Sequence, residues 1–593
     1  MKNNIYVGAR YVPLLYGEWD KTISYEPLTI VTYQGASYTS KTIVPIGVDI
    51  INTKYWVCTG NYNAQIEMYR SDISALRTKI NELVFRCVED MRDCESLQVG
   101  DIVNTLGYYS VSDGGEAFYI ITDTVDEYSY QENVGDLYAT LVYGEIVCPR
   151  MFGAKGDGVT DDTIAIQNCI NSGNKILFNS GTYLVDAEIS VKAKSNSVID
   201  LNGCTLKAKT NNLEFYQILD VDGVENVVIK NGKIIGDRDT HIGNTGEWGY
   251  GIRINASKNV SVSDVYIEKC WGDGIVIRQL SEEVIIDRCF IKLCRRQGIT
   301  VSDCSDVIIT NNIIQEINGT APMAGIDVEP NEGGVARNIL IKGNMFKNNK
   351  GHGLHAYGGD NTRVVNLVVV DNVVTDTNDC DDGFSLASVT NCTVSNNVVQ
   401  NSKLKRAFLV SGCASCNISN NTVKLVDAEK LIYVINSSKC TFNNNIFDNC
   451  NSLMPMQLQT INYCQIKGNV FNRCTGENVS YGDVYPLLYL TGSGQNGSCY
   501  NTICDNVFDN VSMYKDVIGF GVKSDYNEII SNKYLHGDCN YCVKNHTTPI
   551  SGNKIIGNVF KSGTVANYCD HNGTMTYFNN SRVNNIIDGV IEQ

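Results

Sequence analysis

The sequence predicts a mainly β protein whose larger part is a solenoid of stacked coils, because two residue ladders repeat along it. A small residue followed by an apolar, a variable and an apolar residue recurs in steps of between 23 and 30 residues. The copies begin at Gly251, Gly274, Gly298, Gly325, Gly353 and Gly383, with looser copies at Ala407 and Leu431. An Asn before apolar residues recurs at Asn312, Asn344, Asn372, Asn397, Asn421, Asn445, Asn469, Asn506, Asn532 and Asn558. Such a period, with strand-like alternation inside each unit, is typical of units that bury their apolar faces by stacking.

Composition and charge narrow the class of protein further. The chain has 593 residues, which exceeds one globular core, so several domains are expected. Its formal net charge of −17 argues against binding to nucleic acid or to an anionic membrane. The start of the sequence has no apolar signal segment, and no apolar run is long enough to span a bilayer. We therefore expect synthesis in a bacterial cytoplasm, no membrane insertion and no cofactor.

The 23 cysteines follow the repeats instead of forming metal-type clusters. Cys392, Cys416, Cys440 and Cys464 are spaced by one repeat each. This spacing predicts columns of small, buried, reduced thiols, and it predicts neither disulfides nor a metal site.

Residues 1–63 are predicted to form a small β module rich in aromatic residues and Thr. The aromatics run from Trp19 and Tyr25 through Val31-Thr32-Tyr33-Gln34-Gly35 and Tyr38 to Trp56. This pattern resembles small chitin-binding-type carbohydrate modules and the N-terminal modules of phage tail and head fibres. The resemblance implies attachment to other virion proteins or sugar binding. The alternative is that the aromatics form the core of a tiny domain.

Residues 64–92 carry a heptad pattern that predicts a coiled coil. Its core positions are Ile66, Tyr69, Ile73, Leu76, Ile80, Leu83 and Cys87, in alternating steps of three and four. Such a seam needs partner helices, so the chain is expected to oligomerise, although Ile with Leu does not choose between dimer and trimer. The alternative is a single amphipathic helix packed on a neighbouring domain.

Residues 93–150 are expected to form a second small β domain, and residues 151–172 are expected to lead into the solenoid. The second segment contains Met151-Phe152-Gly153-Ala154-Lys155-Gly156-Asp157-Gly158, followed by a short helix with Asp162 as its N-cap. Residues 97–185 resemble the pectate-lyase-like superfamily found in phage tailspikes. The resemblance implies a right-handed parallel β-helix over residues 173–570, closed by the helix at its open end, and a cap over 571–593. It also implies a homotrimeric tail or appendage protein of a virion.

Outward side chains of the repeated strands are expected to form columns, because coils stack about 4.8 Å apart. The first column contains Arg253, Val276, Thr300, Asp327, His355 and Ser385. The second contains Asn255, Arg278, Ser302, Glu329, Tyr357 and Ala387. Charged and ring side chains thus concentrate around one strand and the next coil.

Asp327 and Glu329 are the first candidates for catalysis, with His355 and Asp273 beside them. Alternating on one face, the two carboxylates would have Cα atoms about 6.6–7 Å apart. Glycoside hydrolysis uses such a pair, one protonated and one ionised, and like charge raises the pKa of one member. A lone outward carboxylate is more often only solvated. Asp273 and Asp382 flank the same face at turns.

The insertion at residues 237–250 indicates where a glycan would bind, because loops inserted on one solenoid face usually form its binding groove. Candidate contacts for the glycan are Trp248, Trp271, Glu247, His241, Arg278, Tyr357, His352 and Asp382. The strings Gly246-Glu247-Trp248-Gly249, Trp271-Gly272-Asp273-Gly274-Ile275 and Gly351-His352-Gly353 resemble motifs of β-helix proteins related to polygalacturonases. That resemblance implies action on a glycan, although the family's Asn-x-Asp and Arg-x-Lys partners are absent in register.

Three functions are compatible with the sequence, all acting at a host cell surface. The first is a tailspike that hydrolyses a host surface polysaccharide with Asp327 and Glu329. The second is a lyase acting on a uronic-acid polymer, with Tyr357 or His355 as base and Arg278 neutralising the carboxylate. The third is a non-enzymatic fibre that binds a receptor glycan.

Overall fold

A computed structural model describes residues 12–476, except 360 and 362, and parts of the chain beyond. Those parts are 485–494, 496–514, 516–539, 541–546, 550–560, 568–569, 581–587 and 589–591. The chain forms two compact units. The smaller comprises residues 1–106, 118–124 and 133–139, and the larger contains the remainder.

The N-terminal module is a four-stranded sheet around an aromatic core. Its strands are Leu14–Glu18, Thr29–Tyr33, Ala36–Ser40 and Trp56–Asn61. Tyr25 and Trp56 are buried together with Val31, Val44 and Ile50. These two aromatics therefore serve the core of the module and have no face free for a sugar.

A 21-residue helix, α1 (Tyr62–Glu82), follows this module. Five of the predicted seam residues lie on it and are 47–61% exposed: Ile66, Tyr69, Ile73, Leu76 and Ile80. The predicted extension of the seam to Cys87 is wrong. The helix ends at Glu82, Leu83 follows it, and the β-prone pair Val84–Phe85 forms a strand. Cys87 precedes a second short helix, α2 (Val88–Arg92).

A separate five-stranded sheet follows. Its strands are Val84–Phe85, Ile102–Thr105, Ala117–Thr122, Gln131–Val134 and Leu137–Val142.

The larger unit is a right-handed parallel β-helix, and the described residues contribute 46 strands to its sheet. Strand pairings divide them among three faces. The face that carries the predicted columns, hereafter the site face, contains Val191–Lys192, Phe215–Asp222, Trp248–Asn255, Ile275–Arg278, Ile299–Val301, Ala324–Val328, His352–Tyr357, Asn378–Ala387, Asn451–Gln459, Leu488–Thr491, Asp516–Phe520, Tyr541–Asn545 and Tyr568–Cys569.

The second face contains Ile146–Val147, Lys175–Leu177, Ser197–Asp200, Glu225–Ile235, Lys258–Glu268, Glu282–Asp287, Ser305–Thr310, Val335–Lys342, Arg363–Val370, Val389–Ser395, Asn417–Ser419, Thr441–Asn443, Gln465–Lys467, Thr502–Cys504, Glu528–Ile530, Lys554–Ile556 and Ser581–Val583. Two of these, Glu225–Ile235 and Lys258–Glu268, continue around the corner onto the third face.

The third face contains Asp157–Asp161, Thr182–Val185, Thr205–Ala208, Phe290–Lys292, Ile313–Gln315, Met345–Lys347, Val373–Thr375, Ile446–Asp448, Val470–Asn472, Val507–Asp509, Lys533–Tyr534, Val559–Phe560, Ile586–Ile587 and Val590–Ile591. Two long strands, Val398–Ser411 and Thr422–Ile435, continue from this face onto the site face.

The predicted Asn ladder lies inside the solenoid as a chain of hydrogen bonds. At Asn421 the side-chain Nδ2 donates to Oδ1 of Asn445 at 3.0 Å and to the Val394 carbonyl at 2.9 Å. Its Oδ1 accepts hydrogen bonds from the backbone and side chain of Asn397. Each Asn therefore satisfies backbone groups at a turn that the parallel strands leave unpaired.

The cysteine column is also as predicted. Cys392, Cys416, Cys440 and Cys464 are buried and carry free thiols. In these buried positions the cysteines pack as small apolar residues.

The short helix predicted near the start of the solenoid is α3 (Thr163–Ser172), whose Ile166, Cys169 and Ile170 are buried. Asp162 is the N-cap residue, as predicted, but its carboxylate makes no capping hydrogen bond and instead accepts the backbone N–H groups of Lys155 and Gly156. Asp161 accepts the N–H of Thr163 in its place.

Both predicted ends of the solenoid shift. It begins before residue 173, since Ile146–Val147 already pairs in parallel with Lys175–Leu177. Ser581–Val583 and Ile586–Ile587 continue two faces within the segment predicted to be a separate cap. Residues 571–580, 588, 592 and 593 of that segment lie outside the described residues.

Candidate functional site

Strand pairing on the site face reproduces the first predicted column. Arg253 pairs with Val276, Val276 with Thr300, Thr300 with Asp327, Asp327 with His355, and His355 with Ser385. Part of the second column is paired as well, at Asn255 with Arg278 and at Tyr357 with Ala387. The repeat register that brings these side chains together was therefore readable from the sequence.

A third column on this face was missed, and it consists of the residue before each small residue. Its members are Tyr250, Asp273, Gln297, Ala324, His352, Asp382 and Arg406. The small residue itself is required at these turns. A Cβ added at Gly325 would lie 2.6 Å from the Gly353 carbonyl oxygen and 2.5 Å from the ring of Phe346. The signal was present in the sequence, one position before the glycine ladder.

A cleft of about 570 Å³ opens on the site face near the insertion. It is lined by Phe215, Trp248, Tyr250, Asp273, Val276, Arg278, Arg296, Thr300, Ser302, Glu329, Pro330, Asn331 and Glu332. The cleft thus combines three carboxylates, those of Asp273, Glu329 and Glu332, with two guanidinium groups and three aromatic rings. Four of the predicted site residues line it: Trp248, Asp273, Arg278 and Glu329.

Asp273 is completely buried in the wall of the cleft. Thr300 Oγ1 and Arg296 Nη1 donate hydrogen bonds to its Oδ2, at 2.8 and 3.1 Å. Burial, together with the charge of Asp327, raises the pKa of Asp273 to about 6, against the opposing effects of Arg296 and Thr300. The carboxyl group therefore changes its charge in the pH range where most enzymes work.

Glu329 follows the strand Ala324–Val328 and is half-buried in the cleft. Its backbone N–H donates to the Val301 carbonyl at 2.9 Å, which fixes the residue on the preceding coil. Burial and the charge of Asp327 raise the pKa of Glu329, while His355 and Arg296 lower it. Its net shift favours the protonated form that a general acid requires.

Asp327 lies in the predicted register, but the expectation that it faces solvent is wrong. The residue is 0% exposed and does not line the cleft. Gln297 Nε2 donates to its Oδ2 at 2.7 Å, and His355 Nδ1 lies 3.0 Å from its Oδ1. The side chain of Gln297 comes from the third column, which is why strand alternation alone did not reveal the enclosure.

His355 and its neighbours continue this polar chain along the site face. Burial lowers the pKa of His355, but Asp327, Glu329 and Asp382 together raise it above its ordinary value. The rings of His352 and His355 stack at 4.7 Å. His352 Nδ1 lies 3.3 Å from Asp382 Oδ2, and the Arg406 guanidinium binds both oxygens of Asp382. Asp382 is also fully buried. This row of polar residues therefore influences the cleft only through the electrostatic effect of its charges.

Two predicted glycan contacts, His241 and Trp271, are instead buried. His241 belongs to the insertion, and Trp271 packs against it. The His241 side chain is 1% exposed and its Nδ1 lies 2.8 Å from Asp237 Oδ2. Its ring stacks on Trp271 at 4.0 Å, and Arg295 lies over the same indole. With 7% exposure, Trp271 has no face open to a sugar. Both residues hold the insertion in place.

Four other predicted contacts, Trp248, Arg278, Glu247 and Tyr357, are not fully buried. Trp248 is 45% exposed at the cleft, and Arg278 has a buried Nε without a hydrogen-bond partner. Glu247 lies 3.6 Å from Arg296, and Tyr357 is 42% exposed with its ring 6.0 Å from that of His355. Trp248 and Arg278 are therefore the contacts best placed to meet a ligand in the cleft.

The described residues contain no group of three or more His, Cys, Asp or Glu side chains arranged to hold a metal ion. Within the same residues, no helix has the length and apolar character needed to cross a membrane.

The β-helix is also recognised by comparison with known proteins. Residues 218–368 match the family model described as "Right handed beta helix region". Over 249 residues the chain is 32% identical to the uncharacterized protein YclG of Bacillus subtilis, covering 35% of this chain and 43% of that protein. Over 263 residues it is 24% identical to the pre-neck appendage protein of Bacillus phage phi29, covering 38% and 30%.

A shorter match concerns a depolymerase of Klebsiella phage K64-1 specific for capsules K30/K69. It is 46% identical over 67 residues, which are 11% of this chain and 9% of that protein. The chain spans less than half the length of each of these relatives. Together the matches show a right-handed β-helix over residues 218–368 and a partial similarity to a phage appendage protein and a phage depolymerase.

Proposed function

We propose that this chain is a virion appendage protein that binds a host surface polysaccharide and cleaves it by glycosidic hydrolysis in the cleft. The observation that carries the proposal is the pair Asp273 and Glu329. Both line the cleft and both have a raised pKa. Glycoside hydrolysis needs one protonated and one ionised carboxyl group, and these two meet that need if the raised pKa of Glu329 keeps its proton while Asp273 ionises above a pH of about 6. The similarity to a phage capsule depolymerase supports the same class of substrate.

In this mechanism Glu329 is the general acid and Asp273 is the base. Glu329 is the more accessible of the two, so it protonates the oxygen of the leaving sugar. Asp273 is oriented by Thr300 and Arg296, and in its ionised form it accepts the proton of the attacking water. The exposed indole of Trp248 offers a face on which a sugar ring stacks.

Asp327 contributes through its charge and takes no part in proton transfer to the substrate. Its negative charge raises the pKa of both cleft carboxyl groups. The hydrogen bond from Gln297 and the proximity of His355 stabilise that charge in the protein interior. Asp273 therefore takes the place beside Glu329, as the second catalytic carboxyl group, that the sequence predicted for Asp327.

A second candidate is β-elimination on a uronic-acid polymer, and Arg278 favours it. Arg278 lines the cleft and its Nε has no hydrogen-bond partner, so its guanidinium group would bind a substrate carboxylate there. Tyr357 would be the base in this reaction, because the Nδ1 atom of His355 is already engaged by the Asp327 carboxylate.

The proposed assembly follows the tailspike pattern. Helices α1 of three copies would associate, and the N-terminal module would bind other virion structural proteins. The exposed apolar stripe on α1 supports this arrangement.

Cleavage is tested with the full chain and with Asp273→Asn and Glu329→Gln, each offered capsule and wall polysaccharides. New reducing ends without ultraviolet absorbance, lowered at least about 100-fold in both variants, are expected for hydrolysis. A new absorbing double bond would establish elimination. Asp381→Asn, which removes an exposed carboxylate from the strand Asn378–Ala387, is the matched control. Binding without any product would leave a glycan-binding fibre.

A further inference from the structure

The site face carries a second polar cluster, which is remote from the cleft. It consists of Lys430, Tyr433, Gln457, Gln459 and Tyr489, hereafter the distal cluster. Strand pairing connects it to the catalytic columns. Tyr433 pairs with Leu409 and Gln457, and Gln457 pairs with Tyr489, in the column that contains Thr300 and His355. Tyr433 lies five coils from Thr300, or about 24 Å along the solenoid.

Lys430 is an unusual cation in this chain of net charge −17. It is half-buried, and its Nζ lies over the ring of Tyr433, 4.1 Å from the centroid. Among the described residues, no carboxylate lies within ion-pair distance of it. Arg406, the preceding member of its column, is already bound by Asp382. Burial and the charges of Arg406 and Lys405 lower the pKa of Lys430, and only Glu429 opposes them.

Gln457 presents an unsatisfied group on the strand that pairs with Tyr433. Its Oε1 is buried without a hydrogen-bond partner, while its Nε2 lies 3.5 Å from Gln459 Oε1. Tyr433 donates its hydroxyl to the same Gln459 oxygen at 2.8 Å, so Tyr433 and Gln459 hold each other in place. A buried acceptor without a donor and a half-buried cation without a counterion, on neighbouring coils, both cost stability unless a ligand supplies a donor and a negative charge.

We propose that the distal cluster is a second binding site for the polysaccharide, in which Lys430 binds an anionic substituent and Gln457 accepts a sugar hydroxyl. This inference rests on the proposed function, because a single chain of sugars would extend along the site face from the cleft. It narrows the substrate to a polymer whose repeat unit carries a carboxylate or a phosphate. The half-buried ring of Tyr433 supplies the apolar floor.

The test measures binding by the full-length Asp273→Asn/Glu329→Gln protein, which does not consume the polymer. The probes are polygalacturonate for a carboxylate, poly(glycerol phosphate) teichoic acid for a phosphate, and neutral dextran. We expect one anionic probe to bind, dextran not to bind, and Lys430→Gln to weaken binding about tenfold. Lys430→Arg should retain most of the affinity because it keeps the charge.

Lys424→Gln is the matched control, since Lys424 is an exposed lysine of the same strand on the third face. Equal affinity of Lys430→Gln and its parent for every bound probe overturns the distal site, as does preference for dextran. If that occurs while the wild-type chain still releases reducing ends, the proposed function stands alone. Binding to no probe together with absence of cleavage overturns both.

Discussion

Asp327 shows how one buried carboxylate sets the chemistry of two others. Its charge raises the pKa of Asp273 and Glu329 without contact with the cleft. The base Asp273 must be ionised, so the rate of hydrolysis should fall as the pH drops through about 6. Asp327→Asn removes the charge and lowers the pKa of Asp273. We therefore expect the acid limb of the kcat/KM profile to move to lower pH.

The measurement is kcat/KM against pH for the wild-type chain and Asp327→Asn. Asp381→Asn serves as the control because it removes an exposed carboxylate from the same side of the solenoid. An acid limb that stays at the wild-type pH in Asp327→Asn would contradict the electrostatic role. Complete loss of activity at every pH would instead assign Asp327 to the reaction itself.

The face on which an individual side chain lies could be predicted only where the residue follows the alternation along a strand. The columns containing Asp327 and His355 follow from a period of two within each strand and a fixed step between strands. The direction of the residue before each glycine depends on the turn, which has no such period. For that reason Gln297 was missed, and with it the burial of Asp327.

Among the structural elements, the Asn ladder is the clearest case of a repeat serving stability. Replacing Asn421 with Ala would leave two donors of Asn397 and the Val394 carbonyl without their partners, while Asn445 Oδ1 would keep the backbone N–H of residue 421. Each unsatisfied buried group costs about 1–3 kcal/mol, partly relieved by relaxation, so we expect a loss of about 3–5 kcal/mol. Urea denaturation followed by intrinsic fluorescence would measure it.

The control for this prediction is Asn417→Ala. Asn417 lies on a neighbouring strand and accepts one hydrogen bond, from Thr441, at a half-buried position. We expect a loss below about 1 kcal/mol there. Comparable destabilisation by both substitutions would show that the ladder contributes no more than an ordinary surface amide.

Sequence patterns located elements better than their ends. The position of the Asn ladder and the helical heptads at Ile66–Ile80 were readable because both recur over several periods. The end of α1 was not, because Leu83 and Cys87 keep the heptad spacing although Val84–Phe85 pairs as a strand. Likewise the start of the solenoid at Ile146 could not be predicted, because a single strand at the end of the solenoid shows no repeat.

For the whole molecule, α1 presents an apolar stripe that a single copy leaves exposed. Ile73 and Leu76 are 50% and 60% exposed at the middle of this stripe. Burial of such a seam between helices is what stabilises a coiled coil, so Ile73→Asp with Leu76→Asp should convert the proposed trimer into monomers. Sedimentation velocity would measure the mass of each form.

Ser71→Asp is the control, because it adds a carboxylate to the same helix outside the stripe. It should leave the oligomer intact. The β-helix of the dissociated variant is expected to remain folded, because its strands pair within one chain. A variant that keeps the mass of the wild-type assembly would show that other surfaces hold the copies together and that α1 packs elsewhere.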